Sequence, residues 1–112
     1  RYIGYIDNLA PIYSAVDFTI LPSHYEAFGL VIPESLQCGT PVITTREVGA
    51  AELLSDQDGI LLDNNQPETI SATIRKLSKT FPVAENFANR HRLTISQHIA
   101  DIKSLYPALR PK

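Results

Sequence analysis

Two carboxylates, Glu26 and Glu34, bracket the stretch Ala27-Phe28-Gly29-Leu30-Val31-Ile32-Pro33. Proline has no N–H and is tolerated only in the first turn of a helix, so Pro33 predicts a helix that begins near Leu30 to Ile32. Gly39 at the C′ position, with Pro41 beyond, ends it near Cys38. The first amides of a helix have no intrahelical acceptor and lie at the positive end of its dipole, which makes Phe28 to Ile32 a candidate anion cradle. Gly29 lets a ligand approach the backbone closely, since no Cβ stands in the way. Carboxylates repel an anion, so Glu26 and Glu34 are expected to accept hydrogen bonds from hydroxyls. The ligand that fits has a diphosphate in the middle and sugars on either side.

The elements that position this stretch alternate in type. Arg1 to Ile6 reads as a strand end broken by Gly4, and Asp7-Asn8 caps a helix through Ala15 whose apolar face is Leu9, Ile12, Tyr13 and Val16. Asp17 to Leu21 is a strand ended by Pro22-Ser23, and Pro41 to Thr45 is a strand apolar enough to be covered on both faces. A short helix is expected at Ala50 to Leu54, a tight turn at Asp56-Gln57-Asp58-Gly59 and a strand at Ile60 to Leu62. Asn64 to Glu68 opens a helix to about Lys79 with a buried stripe of Ile70, Ile74 and Leu77, and the pattern after Pro82 stays helical to Tyr106 before a tail. Strands joined to helices by short connections predict an α/β fold, a parallel sheet with helices on both faces. Ligands of such sheets sit beyond the carboxyl ends of strands, where Ser23 to Val31 falls.

The 112 residues make one domain at most, 1–112, expected to be incomplete at its N-terminus, with 83–112 as its C-terminal helices and tail. Hydrophobic residues at 44% and charged residues at 20% are those of a globular protein. A formal net charge of -2 gives no reason to expect nucleic acid or an anionic membrane as the main partner. A single cysteine excludes an internal disulfide and fits a reducing compartment, and no apolar run is long enough to span a bilayer. The chain has no Met and begins as if already inside a strand, so it is expected to be a piece of a longer protein.

Taken together, Asp17-Phe18-Thr19-Ile20-Leu21-Pro22-Ser23, Glu26-Ala27-Phe28-Gly29-Leu30-Val31, Glu34-Ser35, Cys38-Gly39-Thr40-Pro41-Val42-Ile43 and Gly49-Ala50-Ala51-Glu52 resemble the donor-binding, C-terminal part of retaining group 1 glycosyltransferases. These enzymes have the GT-B fold and include the lipopolysaccharide core glycosyltransferases. The resemblance is strongest from Asp17 to about Leu62 and implies a Rossmann-like sheet. It implies that Glu26 lies near the donor sugar and the reacting centre, and that the amides of Phe28, Gly29, Leu30 and Val31 hold sugar hydroxyls and diphosphate. Glu34 would accept from the ribose, and the loop at Gly4 to Ile6, with Tyr5 and Ile6, would lie along the nucleobase. The implied reaction is sugar transfer from a nucleotide-diphosphate sugar with retention at the anomeric carbon, with no cofactor and no metal at the diphosphate. The implied partners are the donor, a sugar, glycan or lipid-linked acceptor, and an acceptor-binding N-terminal domain of the same protein. The implied setting is cytoplasmic, peripheral at the inner face of a membrane. Position 35 is often alanine in relatives and is serine here, and the family's basic donor-phosphate residues have no counterpart in this chain. The alternatives are a nucleotide-sugar-binding module or partner subunit without catalysis and a GT-B epimerase, which the Glu26 to Leu30 frame fits less well.

Plainer readings hold elsewhere. His24 is expected to be a partly exposed hydrogen-bonding residue, and His91 and His98 surface residues. Asp56-Gln57-Asp58 has the D-x-D spacing of a metal site, but a turn ending in Gly59 is where aspartate bonds its own backbone. Cys38 reads as a small buried hydrophobe. Arg90, Arg92, Lys103, Arg110 and Lys112 read as a solvated helix face.

Overall fold

The computed structural model describes residues 1–77, 87–91 and 93–105. Its elements are α1 (Ala10–Tyr13), β1 (Thr19–Leu21), α2 (Val31–Gln37), β2 (Val42–Thr45), a 3-10 helix at Gly49–Leu53, β3 (Gly59–Leu62), α3 (Pro67–Leu77), α4 (Phe87–Arg90) and α5 (Ile95–Leu105). The three strands form one parallel sheet in the order β1-β2-β3, pairing Ile20 with Ile43 and Ile43 with Ile60. The α/β architecture with a parallel sheet is therefore as expected.

Every residue of β2 is buried, as a central strand covered on both faces requires. Successive side chains of a strand point to opposite faces, and β2 divides the core accordingly. Val42 packs with Ile32, Leu36, Val48 and Phe87 on one side, and Ile43 packs with Leu62 and Leu77 on the other. The two β2 threonines are buried without cost because each hydroxyl donates to β1 or the residues just after it. Thr44 Oγ1 reaches the Leu21 carbonyl at 2.7 Å and Thr45 Oγ1 the Ser23 carbonyl at 2.6 Å.

Helix α2 starts and stops where proline and glycine predict. Pro33 lies in its first turn, Cys38 is its C-cap, and Gly39 follows at φ +82°. Its inward face is Ile32, Ser35 and Leu36, and the Ser35 hydroxyl donates to the Thr40 carbonyl at 2.9 Å and pairs with the Thr19 hydroxyl. Helix α3 opens on Asn64, whose Oδ1 accepts from the Gln66 amide at 3.0 Å and the Thr69 hydroxyl at 2.7 Å.

Four expectations need correction. Residues 1–6 form no strand: they pair with no described residue, and Tyr2 and Tyr5 are 94% and 89% exposed. A strand exists only through its partner, and the free edge of β1 is not paired with them. Helix α1 is four residues long and decays into a 3-10 turn, with Ala15 donating to Ile12 and Val16 to Tyr13. Of its expected apolar face only Tyr13 is buried, since Leu9 and Val16 extend past the helix ends. In α3, Ile70 and Leu77 reach the core but Ile74 stays 39% exposed, because only one turn and its equivalent two turns later face β3. Helices α4 and α5 fall within the region expected to be helical; residues 78–86, Arg92 and 106–112, including the expected helix end at Lys79 and the tail, lie outside the described residues.

Candidate functional site

The segment that follows β1, Pro22 to Leu30, crosses the carboxyl end of the sheet and is fastened by main chain. Glu26 and Val48 form a parallel bridge: the Glu26 amide donates to the Glu47 carbonyl at 3.2 Å, and the Gly49 amide to the Glu26 carbonyl at 3.0 Å. The Ala50 amide then donates to the Phe28 carbonyl at 2.7 Å. Residues 47–50 thus act as a strap that holds residues 26–28 from one side. Gly49 sits where the strap touches the turn, and any Cβ there would overlap the Ala27 carbonyl.

Gly29 completes the turn at φ +83°, a left-handed conformation that favours glycine. It is buried, and an added Cβ would lie 2.7 Å from Val48 Cγ1. The turn leads into α2 with four amides unspent. Among the described residues, those of Phe28, Gly29, Leu30 and Val31 donate no hydrogen bond, whereas Ile32 already donates to the Gly29 carbonyl at 3.0 Å. The run of unspent amides is therefore one residue shorter at its far end than expected. Phe28 and Leu30 point their side chains largely into solvent, at 47% and 64% exposure.

The two glutamates are held in different ways. Glu26 is half-buried and fixed by its backbone bonds to the strap. Glu34, exposed in the first turn of α2, is held by its side chain: the Tyr13 hydroxyl donates to Oε2 at 3.1 Å. Burial, then the hydrogen bond and charge of Glu34, push the Tyr13 phenol up to about 12, so it remains a donor at any working pH. Tyr13 and Glu34 line a cleft of about 350 Å³ whose other walls are Ile6, Asp7, Asn8, Leu9, Ala10, Gln37 and Cys38. Ile6 thus shares the cleft with Glu34, while Tyr5 stands outside it. Glu26 is not in this cleft. A second, more polar cleft of about 260 Å³ lies at the carboxyl ends of the strands, lined in part by Ser23, His24, Thr45, Arg46, Glu47 and Asp63.

Three plain expectations changed. Cys38 is partly exposed in the wall of the first cleft, because as the C-cap of α2 it lies past the buried face of Ile32, Ser35 and Leu36. Asp58 is a turn residue as expected, accepting from the Ser55 amide at 3.0 Å and the Ser55 hydroxyl at 2.5 Å, but it is fully buried and also paired with Arg90. Arg90 is therefore not part of a merely solvated face, and His91, half-buried, meets the Phe87 ring at a 43° tilt and reaches Asp58 Oδ2 at 3.4 Å. His24 and His98 are exposed, and Arg110 and Lys112 lie outside the described residues. Burial pushes the Asp58 carboxyl up, yet hydrogen bonds from Arg90 and Ser55 outweigh it and bring the carboxyl down to about 2.

Sequence reasoning missed Tyr13 as a site residue and the strap as a support. The available signal for Tyr13 was a hydroxyl on an otherwise apolar helix face, since a buried tyrosine needs a polar partner. Among the described residues no three His, Cys, Asp or Glu side chains gather as a cation site, and no helix is long and apolar enough to cross a membrane.

Comparison with known proteins adds the family. Residues 1–94 match the family described as "Glycosyl transferases group 1". A probable transglycosylase of Burkholderia thailandensis is 49% identical over 55 residues, covering 49% of this chain and 15% of that protein. A D-inositol 3-phosphate glycosyltransferase of Thermomonospora curvata is 41% identical over 70 residues, covering 62% of this chain and 16% of that protein. Among solved structures, Anabaena HepE in complex with UDP and glucose superposes with a TM-score of 0.72 at 26% identity, over 91% of this chain and 31% of that one. The chain spans less than a third of the length of each of these relatives.

Proposed function

This chain belongs to the group 1 glycosyltransferases, and we propose that it forms the nucleotide-sugar-binding part of a retaining member of that family. The observation that carries the proposal is the Gly29 turn. Four free amides, from Phe28 to Val31, lie between a glutamate fixed by the strap and a glutamate that opens into a cleft. On this reading the amides hold the diphosphate, whose negative charge grows as the glycosidic bond breaks, and donors fixed in advance stabilise such charge most effectively. Glu34 accepts from the ribose hydroxyls in the cleft it shares with Ile6, and the nucleobase lies along Ile6 with Tyr5 at the outer edge. Glu26 accepts from the donor sugar next to the reacting carbon. It is not assigned as a nucleophile: the acceptor hydroxyl adds to an oxocarbenium-like centre on the face the diphosphate leaves, and its proton goes to the departing phosphate oxygen. HepE, solved with UDP and glucose, supports a donor of that class.

The acceptor, and the basic residues that neutralise the donor phosphates, are assigned to parts of the protein outside these 112 residues. The proposed setting is the cytoplasmic side of a membrane carrying the acceptor, with no metal at the diphosphate.

Paired substitutions in the full-length protein test the assignment. Glu26→Ala is expected to reduce transfer at least a hundredfold while nucleoside diphosphate binding stays measurable, the scale of losing one positioned catalytic group, about 10²–10⁴-fold. Glu34→Ala is expected to weaken nucleotide affinity about tenfold or more with a smaller effect on the turnover of bound donor, as for a lost hydrogen bond to a charged group. Calorimetry with UDP, GDP and ADP and a transfer assay read the two effects separately. Unchanged donor affinity and transfer in both variants overturns the site.

A further inference from the structure

We propose that Tyr13 is a positioning residue for Glu34, fixing its carboxylate to receive the ribose hydroxyls of a nucleoside diphosphate bound in the cleft beside α1. This rests on the ribose role assigned to Glu34 above.

Glu34 is exposed, and among the described residues its carboxylate has one hydrogen-bond partner, the Tyr13 hydroxyl at 3.1 Å. A free surface glutamate samples many rotamers, and ordering it on binding costs affinity. Tyr13 is suited to remove that cost because it is itself immobile. It is 6% exposed, and its carbonyl accepts from the Thr40 hydroxyl at 2.6 Å, which ties α1 to the turn that ends α2. The same α2 carries Glu34, so donor and acceptor ride on two elements clamped to each other. The phenol occupies one lone pair of Oε2 and leaves Oε1, with the second lone pair of Oε2, to accept from two adjacent hydroxyls. Packing alone does not call for this hydroxyl, since phenylalanine would fill the same space. Both side chains border the cleft, so the pair lies where a ligand would meet it.

The test uses the full-length protein and whichever of UDP, GDP and ADP binds it most tightly, with the 2′-deoxy and 3′-deoxy forms of that nucleotide. Tyr13→Phe keeps the buried ring and is expected to weaken binding about three- to tenfold, the cost of immobilising one long side chain. A thermal melt checks that the fold is unchanged. Glu34→Ala, which leaves no acceptor for the phenol, is expected to weaken binding more, and Tyr13→Phe added to Glu34→Ala to cost nothing further. The effect of Tyr13→Phe is also expected to vanish with the deoxy nucleotide that lacks the hydroxyl Glu34 accepts. Normal binding by Tyr13→Phe beside weakened binding by Glu34→Ala overturns the positioning role and leaves the ribose role standing. Equal losses from Tyr13→Phe in both backgrounds also overturn it, since Tyr13 would then act on the ligand or the fold. Unchanged binding by Glu34→Ala removes the ribose role and this inference together.

Discussion

Gly29 and Gly39 have nearly the same φ and quite different surroundings, and the contrast predicts what the proposed cradle tolerates. Their φ angles are +83° and +82°. A Cβ on Gly39 would meet nothing within 4 Å, whereas one on Gly29 would lie 2.7 Å from Val48 Cγ1, 3.2 Å from Glu26 Cγ and 3.3 Å from Leu21 Cδ2. Alanine in the left-handed region costs about 1–2 kcal/mol through its own backbone, and this cost is common to both positions. Overpacking adds about 1–3 kcal/mol, and it falls on Gly29 alone. Val48 cannot retreat easily: it is fully buried in the core, and its backbone forms the bridge to Glu26. Gly29→Ala is thus expected to destabilise the protein by about 2–5 kcal/mol and Gly39→Ala by about 1–2 kcal/mol. Urea unfolding measures both. The extra cost at Gly29 should fall when Val48→Ala removes the nearest methyl, so the double variant loses less than the sum of the singles. Gly29→Ala should also weaken nucleoside diphosphate binding by calorimetry, since the turn must shift and carries the free amides with it, while Gly39→Ala leaves binding unchanged. Equal destabilisation by the two alanines, within about 0.5 kcal/mol, would refute the claim that the strap packs against the turn closely enough to set its shape.

Two further predictions concern the support. Asp58 is held at about 2 in the folded protein against 3.8 as its ordinary value, so its ionised form stabilises the fold above pH 4 and that contribution is lost as pH falls from about 4 to 2. Asp58→Asn should be less stable by about 2 kcal/mol at pH 5, and the gap to the unsubstituted protein should close toward pH 2 in urea titrations. A gap that stays constant over that range would disprove the ion-pair account. Thr45→Val keeps the shape of a buried β2 residue but removes the hydroxyl that donates to the Ser23 carbonyl at 2.6 Å. A loss of about 1–2 kcal/mol is expected, with faster amide exchange through residues 23–26 by mass spectrometry; unaltered exchange would mean that β2 does not pin this loop.

What the sequence disclosed was what neighbouring residues decide between themselves. Pro33 and Gly39 fixed both ends of α2 because one lacks an N–H and the other adopts positive φ, and both constraints are local. Val42-Ile43-Thr44-Thr45 read as a covered strand from its mostly apolar run alone. The Asp58 turn was legible as well, because its Ser55 partner is three residues away. The Arg90 partner, 32 residues away, was not, nor was the Tyr13 to Glu34 hydrogen bond across 21 residues. Tyr13 was assigned to a core face by its spacing, and the spacing was right about the ring and silent about the hydroxyl. The strand expected at residues 1–6 failed for a related reason: aromatic and branched residues favour extended backbone, but hydrogen bonds to a neighbouring strand are what stabilise it.

The different tethers of the two glutamates bear on how their roles separate. Glu26 is placed by amide and carbonyl bonds to residues 47–49, so exchanging its side chain changes the chemistry presented there and leaves the loop in place. Glu34 is placed by a bond to its own carboxylate, so any change there alters chemistry and position together. A residue that must present charge to a reacting centre benefits from the first arrangement, since a main-chain tether does not compete for the carboxylate oxygens. A residue that must accept from a diol tolerates the second, since one phenolic donor leaves enough lone pairs free. It follows that conservative substitutions should diverge. Glu26→Gln keeps the backbone bridge and isolates the value of the charge. Glu34→Gln keeps an acceptor oxygen but lets the amide rotate its NH₂ toward the ligand or the phenol. Donor binding should therefore be more sensitive to Glu34→Gln than to Glu26→Gln, and transfer from bound donor more sensitive to Glu26→Gln.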